Sequence, residues 1–118
     1  MGFEELKKRF RQFAIDTAVL IQKLPRNAIN INYSNQLVRC SSSSGANYWA
    51  ASRAKSTADF INKLKIVEEE LDESIYFLDL LLYFNEPLRA DFEKLMNEGD
   101  ELLAIIVKSI KTARLRQR

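Results

Sequence analysis

Few side chains in this sequence are arranged to carry protons, metals or nucleophiles. There is no histidine among the 118 residues, which removes the commonest general base and metal ligand at neutral pH. One cysteine without histidine cannot build a structural zinc site, and a ferritin-like di-iron site needs Glu-x-x-His twice. Ser41, Ser42, Ser43 and Ser44 offer four consecutive hydroxyls, but no base is positioned to activate one. Gly2, Gly45 and Gly99 are far apart, so no glycine-rich phosphate loop exists. The expectation is a chain with no catalytic residue, no metal and no cofactor.

The densest polar constellation is acidic: Glu68, Glu69, Glu70, Asp72 and Glu73. Carboxylates on a helix can bind a hard cation such as Mg²⁺. The preferred reading is structural. If two antiparallel helices meet at a turn near Lys55, Arg39 falls opposite residue 71, within reach of Glu70 or Asp72. Arg53 lies too near that turn to share the partner. Cys40 reads as a small packed residue rather than a reactive thiol.

These groups must be carried by helices. Phe3, Leu6, Phe10, Phe13, Thr17, Leu20 and Leu24 form one stripe at 3-4 spacing, with Thr17 its only polar member. Pro25 stops that helix, and Arg26 to Asn30 read as a connection. The second segment is weaker, with Ile31, Val38, Gly45 and Ser52 repeating every seven residues around the small-residue run Cys40 to Ala46. Close helix packing is the expected reason for Gly45, which costs about 1 kcal/mol against alanine in a helix. Ser56 and Asp59 form a capping-box-like pair. The third helix then shows Phe60, Leu64, Val67, Leu71, Ser74, Leu78 and Leu81. Asn85-Glu86-Pro87 is a connection. Leu88, Phe92, Leu95, Gly99, Leu102, Ile106 and Ser109 mark the fourth helix.

The fold class is therefore all-α, an antiparallel up-down-up-down four-helix bundle in one domain over residues 1–118. Helices are expected at about 3–24, 31–54, 57–84 and 88–115, joined by connections too short for any other arrangement. The apolar fraction of 47% and the charged fraction of 29% suit a globular chain. The first ten residues carry five charges and no apolar segment, so no secretory signal is expected, and no stretch is long enough to span a bilayer. With one cysteine, this fits a cytoplasmic protein with no membrane contact.

Net charge is only +2, but this topology sorts it. One end gathers the start of helix 1, the helix 2–3 turn and the end of helix 4. It collects Lys7, Lys8, Arg9, Arg11, Arg53, Lys55, Lys63, Lys65, Lys108, Lys111, Arg114, Arg116 and Arg118 against Glu4, Glu5 and Asp59. Such an end attracts polyanions, RNA or DNA backbone foremost. Nine of these residues are the candidate nucleic-acid contacts: Lys7, Lys8, Arg11, Arg53, Lys55, Lys63, Lys111, Arg114 and Arg116. The alternative is a solvated tail whose cations complement the helix dipole. Glu98 and Glu101 are assigned to the opposite, acidic end.

Helix 3 is apolar almost all round from Ile75 to Phe84. Tyr76, Leu80 and Tyr83 make a second stripe, and Phe77 and Phe84 a third. With Trp49 from helix 2 they form the expected interface of a homo-oligomer. The alternative is a thick core.

Several segments resemble a known family: Phe3-Glu4-Glu5-Leu6, Gln36 to Cys40, Ser44-Gly45-Ala46-Asn47-Tyr48, Ala50-Ala51, Arg53-Ala54, Asp59-Phe60, Lys63-Leu64, and Glu68-Glu69 to Asp72-Glu73. The sequence is similar to bacterial four-helix bundle proteins called intervening-sequence proteins of large-subunit ribosomal RNA. Some members are encoded within inserts in ribosomal RNA genes. A related branch is the accessory protein of diversity-generating retroelements, a basic pentameric barrel that partners a reverse transcriptase and nucleic acid. The resemblance implies a pentamer and brings no catalytic residues. The combined expectation is a non-enzymatic oligomeric bundle binding RNA or DNA backbone as a ribonucleoprotein or retroelement-type accessory. The alternative is a protein–protein scaffold with a partner protein and no nucleic-acid role.

Overall fold

Burying one stripe per helix requires the four helices to share a single axis, and the computed structural model, which describes residues 2–117, has this form. Helices α1 (Phe3–Gln22), α2 (Ala28–Ala51), α3 (Thr57–Phe84) and α4 (Arg89–Arg116) follow in order, with a 3-10 turn at Glu86–Leu88 before α4. Chain neighbours pack side by side and α4 returns to α1, in a body of 50 × 21 × 21 Å.

In α1 the buried residues are Leu6, Phe10, Phe13, Thr17 and Leu20. Its last regular residue is Gln22. The Lys23 and Leu24 N–H groups tighten onto the Leu20 and Ile21 carbonyls, which tucks Leu24 inward. Thr17 is fully buried, and its hydroxyl has no hydrogen-bond partner among the described residues. Burying an unpaired hydroxyl costs about 1–3 kcal/mol. Thr17→Val keeps the branched shape and removes the orphan. It is expected to raise the urea midpoint by an increment worth about 1 kcal/mol or more; a lowered midpoint would show that the hydroxyl is satisfied.

Helix α2 departs most from its expected form. It starts at Ala28 because the Asn27 side chain accepts the Asn30 backbone N–H at 2.9 Å, a capping bond that draws Ala28 to Asn30 into the first turn. It ends at Ala51, three residues early. The buried face is also not the seven-residue repeat: Ile31 and Val38 are 43% and 42% exposed. Burial follows Asn30, Ser34, Leu37, Cys40, Ser41, Ser44, Gly45, Tyr48 and Ala51. This face is made mostly of small side chains, so apolar periodicity cannot mark it. Two of its buried hydroxyls are satisfied within the helix. Ser44 Oγ donates to the Ser41 carbonyl at 2.7 Å and Ser41 Oγ to the Val38 carbonyl at 3.4 Å. A Cβ on Gly45 would stand 3.4 Å from Phe10 Cβ, an ordinary contact. Glycine is therefore not sterically required there. The α1 backbone does come near, with the Phe10 carbonyl group 3.7 Å from that Cβ position, whereas at Gly99 a Cβ would come within 3.1 Å of the Ile75 side chain, a tighter fit.

Helix α3 begins where Ser56 Oγ accepts the Asp59 N–H at 3.1 Å, while Asp59 Oδ2 accepts from the Lys55 N–H. Leu64, Val67, Leu71, Ser74, Leu78 and Leu81 are buried; Ile61 takes the inward place expected of Phe60, which is half-buried. In α4 Phe92, Leu95, Gly99, Leu102 and Ile106 are buried, followed by Ile110 and Ala113 rather than Ser109. The α1–α4 seam is the loosest of the four. Clefts of about 480 and 470 Å³ open along it. Among the described residues, no helix is long and apolar enough to cross a membrane.

Candidate nucleic-acid interface

The antiparallel order brings three segments to one end. Phe3 of α1, Ala51, Ser52, Ala54, Ser56 and Thr57 around the α2–α3 turn, and Ala113 and Arg116 of α4 line a shared depression of about 330 Å³. Lys8, Arg11, Arg53, Lys55, Lys111, Arg114 and Arg116 are exposed on this half of the bundle. Lys7 and Lys63 are half-buried and engaged: Lys7 Nζ lies 3.3 Å from Glu4, and Lys63 Nζ 2.6 Å from Asp59. The hydrogen bond from Lys63, with the Lys55 backbone N–H, holds the Asp59 carboxyl below its ordinary range. Arg118 lies outside the described residues.

The expected sorting of charge needs one correction. Arg9 does not serve the basic end. Its guanidinium donates to Glu98 at 3.1 and 2.5 Å and stands 3.6 Å from Glu101. Helix α4 has 28 residues, which span about 42 Å at roughly 1.5 Å per residue. Glu98 and Glu101 therefore sit along its middle, level with the second turn of α1. The hydrogen bond to Glu98 raises the Arg9 pKa further. This fork bridges the loose α1–α4 seam between its two clefts. At the far end Lys23 pairs with Asp91 at 3.4 Å and Arg89 with Glu86 at 2.6 Å.

The acidic run on α3 meets Arg39. Arg39 Nη1 is 3.3 Å from Glu70 Oε2 and Nη2 is 2.6 Å from Glu73 Oε2. The second partner is Glu73 in place of Asp72. Residues three apart share a helix face, whereas Asp72 is turned away from Glu70 by two steps of the helix. Among the described residues no group of three or more acidic or cysteine side chains is gathered so as to hold a metal ion. Cys40 is buried, which pushes its thiol pKa up, and Ser74 Oγ lies 3.3 Å from its sulfur. Burial also pushes the Tyr48 phenol up to about 12.

The aromatic residues expected to act together form two separate groups. Tyr33 reaches Phe77 and Phe84 with ring centres 6.1 and 6.3 Å apart, and Tyr76 and Tyr83 stand edge-on to these rings. Tyr76, Tyr83 and Phe84 are 59%, 79% and 52% exposed, while Phe77 and Leu80 are half-buried. Trp49 is not among them. It lies sixteen residues beyond Tyr33 on α2, about 24 Å along the axis, and meets α1 instead. Its Nε1–H donates to the Lys7 carbonyl at 3.4 Å, and Lys7 Nζ is 5.6 Å from the ring centre.

Sequence reasoning missed a buried amide pair at the far end. Asn30 Nδ2 donates to Asn85 Oδ1 at 3.1 Å and Asn85 Nδ2 returns a bond to Asn30 Oδ1 at 2.8 Å. Each amide directs its second N–H to a backbone carbonyl, Pro25 and Leu81 respectively, both at 2.8 Å. The available signal was asparagine in both connections at the same end of the bundle, Asn27 and Asn30 in one and Asn85 in the other.

An antiparallel bundle with a basic end, a carboxylate–arginine bridge on either side and an exposed aromatic patch places the chain in the class of four-helix bundle proteins. The chain belongs to the 23S rRNA-intervening sequence protein family, whose model matches residues 5–108. It is also similar, at 31% identity, to a protein of unknown function from the S23 ribosomal protein family of Bacteroides thetaiotaomicron, known from a crystal structure. That similarity covers 90% of this chain and 98% of the other, with a TM-score of 0.79. No curated protein matches the sequence. Neither description names an enzymatic activity.

Proposed function

We propose that this protein is a non-catalytic RNA-binding accessory of a ribonucleoprotein or retroelement type, holding nucleic-acid backbone at its basic end. The observation that carries the reading is that the α2–α3 turn and the end of α4 meet at one end of the bundle, and the segments there carry exposed Arg53, Lys55, Lys111, Arg114 and Arg116. Phosphate contacts by such residues release condensed counterions, so binding should weaken steeply with salt. The family's link to ribosomal RNA makes RNA the first polyanion to test.

The exposed patch of Tyr76, Tyr83 and Phe84 supports association with a second copy or a partner protein. An oligomer would repeat the basic end and raise avidity without a new contact. A scaffold role without nucleic acid is the second reading, and this patch is what favours it.

Sedimentation with a labelled RNA oligonucleotide tests both parts. The wild type is expected to sediment as an oligomer and to carry RNA at low salt. Lys111→Glu with Arg114→Glu and Arg116→Glu should weaken binding and cut the salt slope by about one for each phosphate no longer neutralised. Lys94→Ala, at the far end, should leave it unchanged. Absence of RNA binding at low salt would overturn the nucleic-acid reading, and a monomer at micromolar concentration would overturn the oligomer.

A further inference from the structure

We propose that Trp49 is a base-stacking residue and that the basic end therefore takes single-stranded rather than duplex nucleic acid. The inference rests on the nucleic-acid reading above and adds the feature that selects among nucleic acids. Trp49 is 43% exposed, although Phe10 and Tyr48 beside it are buried. Its polar edge is occupied, since the indole N–H donates to the Lys7 carbonyl across the α1–α2 seam. That bond orients the ring and leaves it no other hydrogen-bonding task. What remains exposed is apolar indole surface, one face of which carries the Lys7 ammonium.

One cation touches the ring and two others follow one helical turn away along the chain. Lys7 Nζ stands over the ring, 5.6 Å from its centre, so an incoming base stacks on the other face or displaces the ammonium toward its own phosphate. Arg53 lies four residues beyond Trp49, and Arg11 lies four residues beyond Lys7, one helical turn in each case. Both are exposed. On the other side Trp49 is preceded on α2 by Ser42, Gly45 and Ala46, too small to cover the ring.

Helix α2 itself brings no acid to the ring, since it contains no Asp or Glu between Ala28 and Ala51. The acid engaged with Lys7 is Glu4, at 3.3 Å, and it is 82% exposed. A surface pair of this kind is weak and yields to a competing phosphate. In a duplex the bases are already stacked on each other and cannot reach a protein ring. An unpaired base can, and base–aromatic stacking is worth about 1–3 kcal/mol per base.

Trp49 is the single tryptophan of the chain, so its fluorescence reports on this position alone. The full-length protein is titrated with an unstructured oligouridylate and with an RNA duplex of equal length, at matched salt. Single-strand binding is expected to quench and shift the Trp49 emission. Trp49→Leu, which keeps the apolar bulk and loses the plane, should weaken single-strand binding roughly 5- to 100-fold. Duplex binding should change less than about twofold. Trp49→Phe should retain part of the single-strand affinity, and circular dichroism checks that each variant folds. If both RNAs bind alike, with no change in emission and no effect of Trp49→Leu, the stacking inference fails while the basic-end reading stands. If neither RNA binds at low salt, both fail.

Discussion

Replacing Phe10 with alanine is expected to lower the free energy of unfolding by about 3–5 kcal/mol, the range for truncating a fully buried aromatic residue. Phe10 has no exposed surface. Its ring stacks on Tyr48 with centres 4.9 Å apart and planes 18° from parallel. Such aromatic pairs add about 0.5–1.5 kcal/mol beyond burial. What surrounds Phe10 sets the cost at the upper part of the range. The facing stretch of α2 is Ser41, Ser44 and Gly45, with backbone already near contact distance at Gly45. No long flexible side chain on that face can swing in to fill the vacated space. Globular domains are stable by only about 5–15 kcal/mol, so the variant should unfold at a much lower urea concentration. A loss below about 1.5 kcal/mol would show that α1 and α2 close over the site, contrary to a rigid small-residue seam.

The same seam explains where the sequence was transparent and where it was not. Helices α1, α3 and α4 bury Phe, Leu, Val and Ile at 3-4 spacing, and their faces could be traced directly from those residues. Helix α2 buries serine, cysteine, glycine and alanine, whose hydropathy does not distinguish inside from outside. Its apolar Ile31 and Val38 face outward, so the repeat they form pointed to the wrong side. Its boundaries shifted for a local reason, the Asn27 cap, which the asparagines on both sides of Ala28 conceal.

The sites show a similar division. Antiparallel geometry alone placed Arg39 opposite residue 71, within reach of Glu70, because register near a short turn is fixed by the turn. Choosing Glu73 over Asp72 needed the rotational phase of α3. The basic end was legible as a set of segments that must meet, yet Arg9 left that set because α1 and α4 are joined only through the rest of the chain. No short turn fixes their register, and it emerges from packing. Trp49 was grouped with Tyr76 and Tyr83 by chemistry. Position along α2 separates them, and the separation is what gives the basic end an aromatic group of its own.

The far end of the bundle is held by a different device, and removing it should be the second large effect. Asn85→Ala is expected to cost roughly 3 kcal/mol, since each buried polar group left unpaired costs about 1–3 kcal/mol. Asn30 and Asn85 are 3% and 5% exposed, so water does not replace the missing bonds. The truncation strands Asn30 Oδ1, one Asn30 N–H and the Leu81 carbonyl near the end of α3. Asn30→Ala strands the partner amide and frees the Pro25 carbonyl, which helps position the α1–α2 connection. Because the two residues bond as a reciprocal pair, the double variant should lose less than the sum of the singles, by about 0.5–3 kcal/mol. Urea unfolding of the four proteins measures that difference directly. Strict additivity would mean that the two amides act independently, and the reciprocal pair would then contribute nothing to joining the start of α2 to the end of α3.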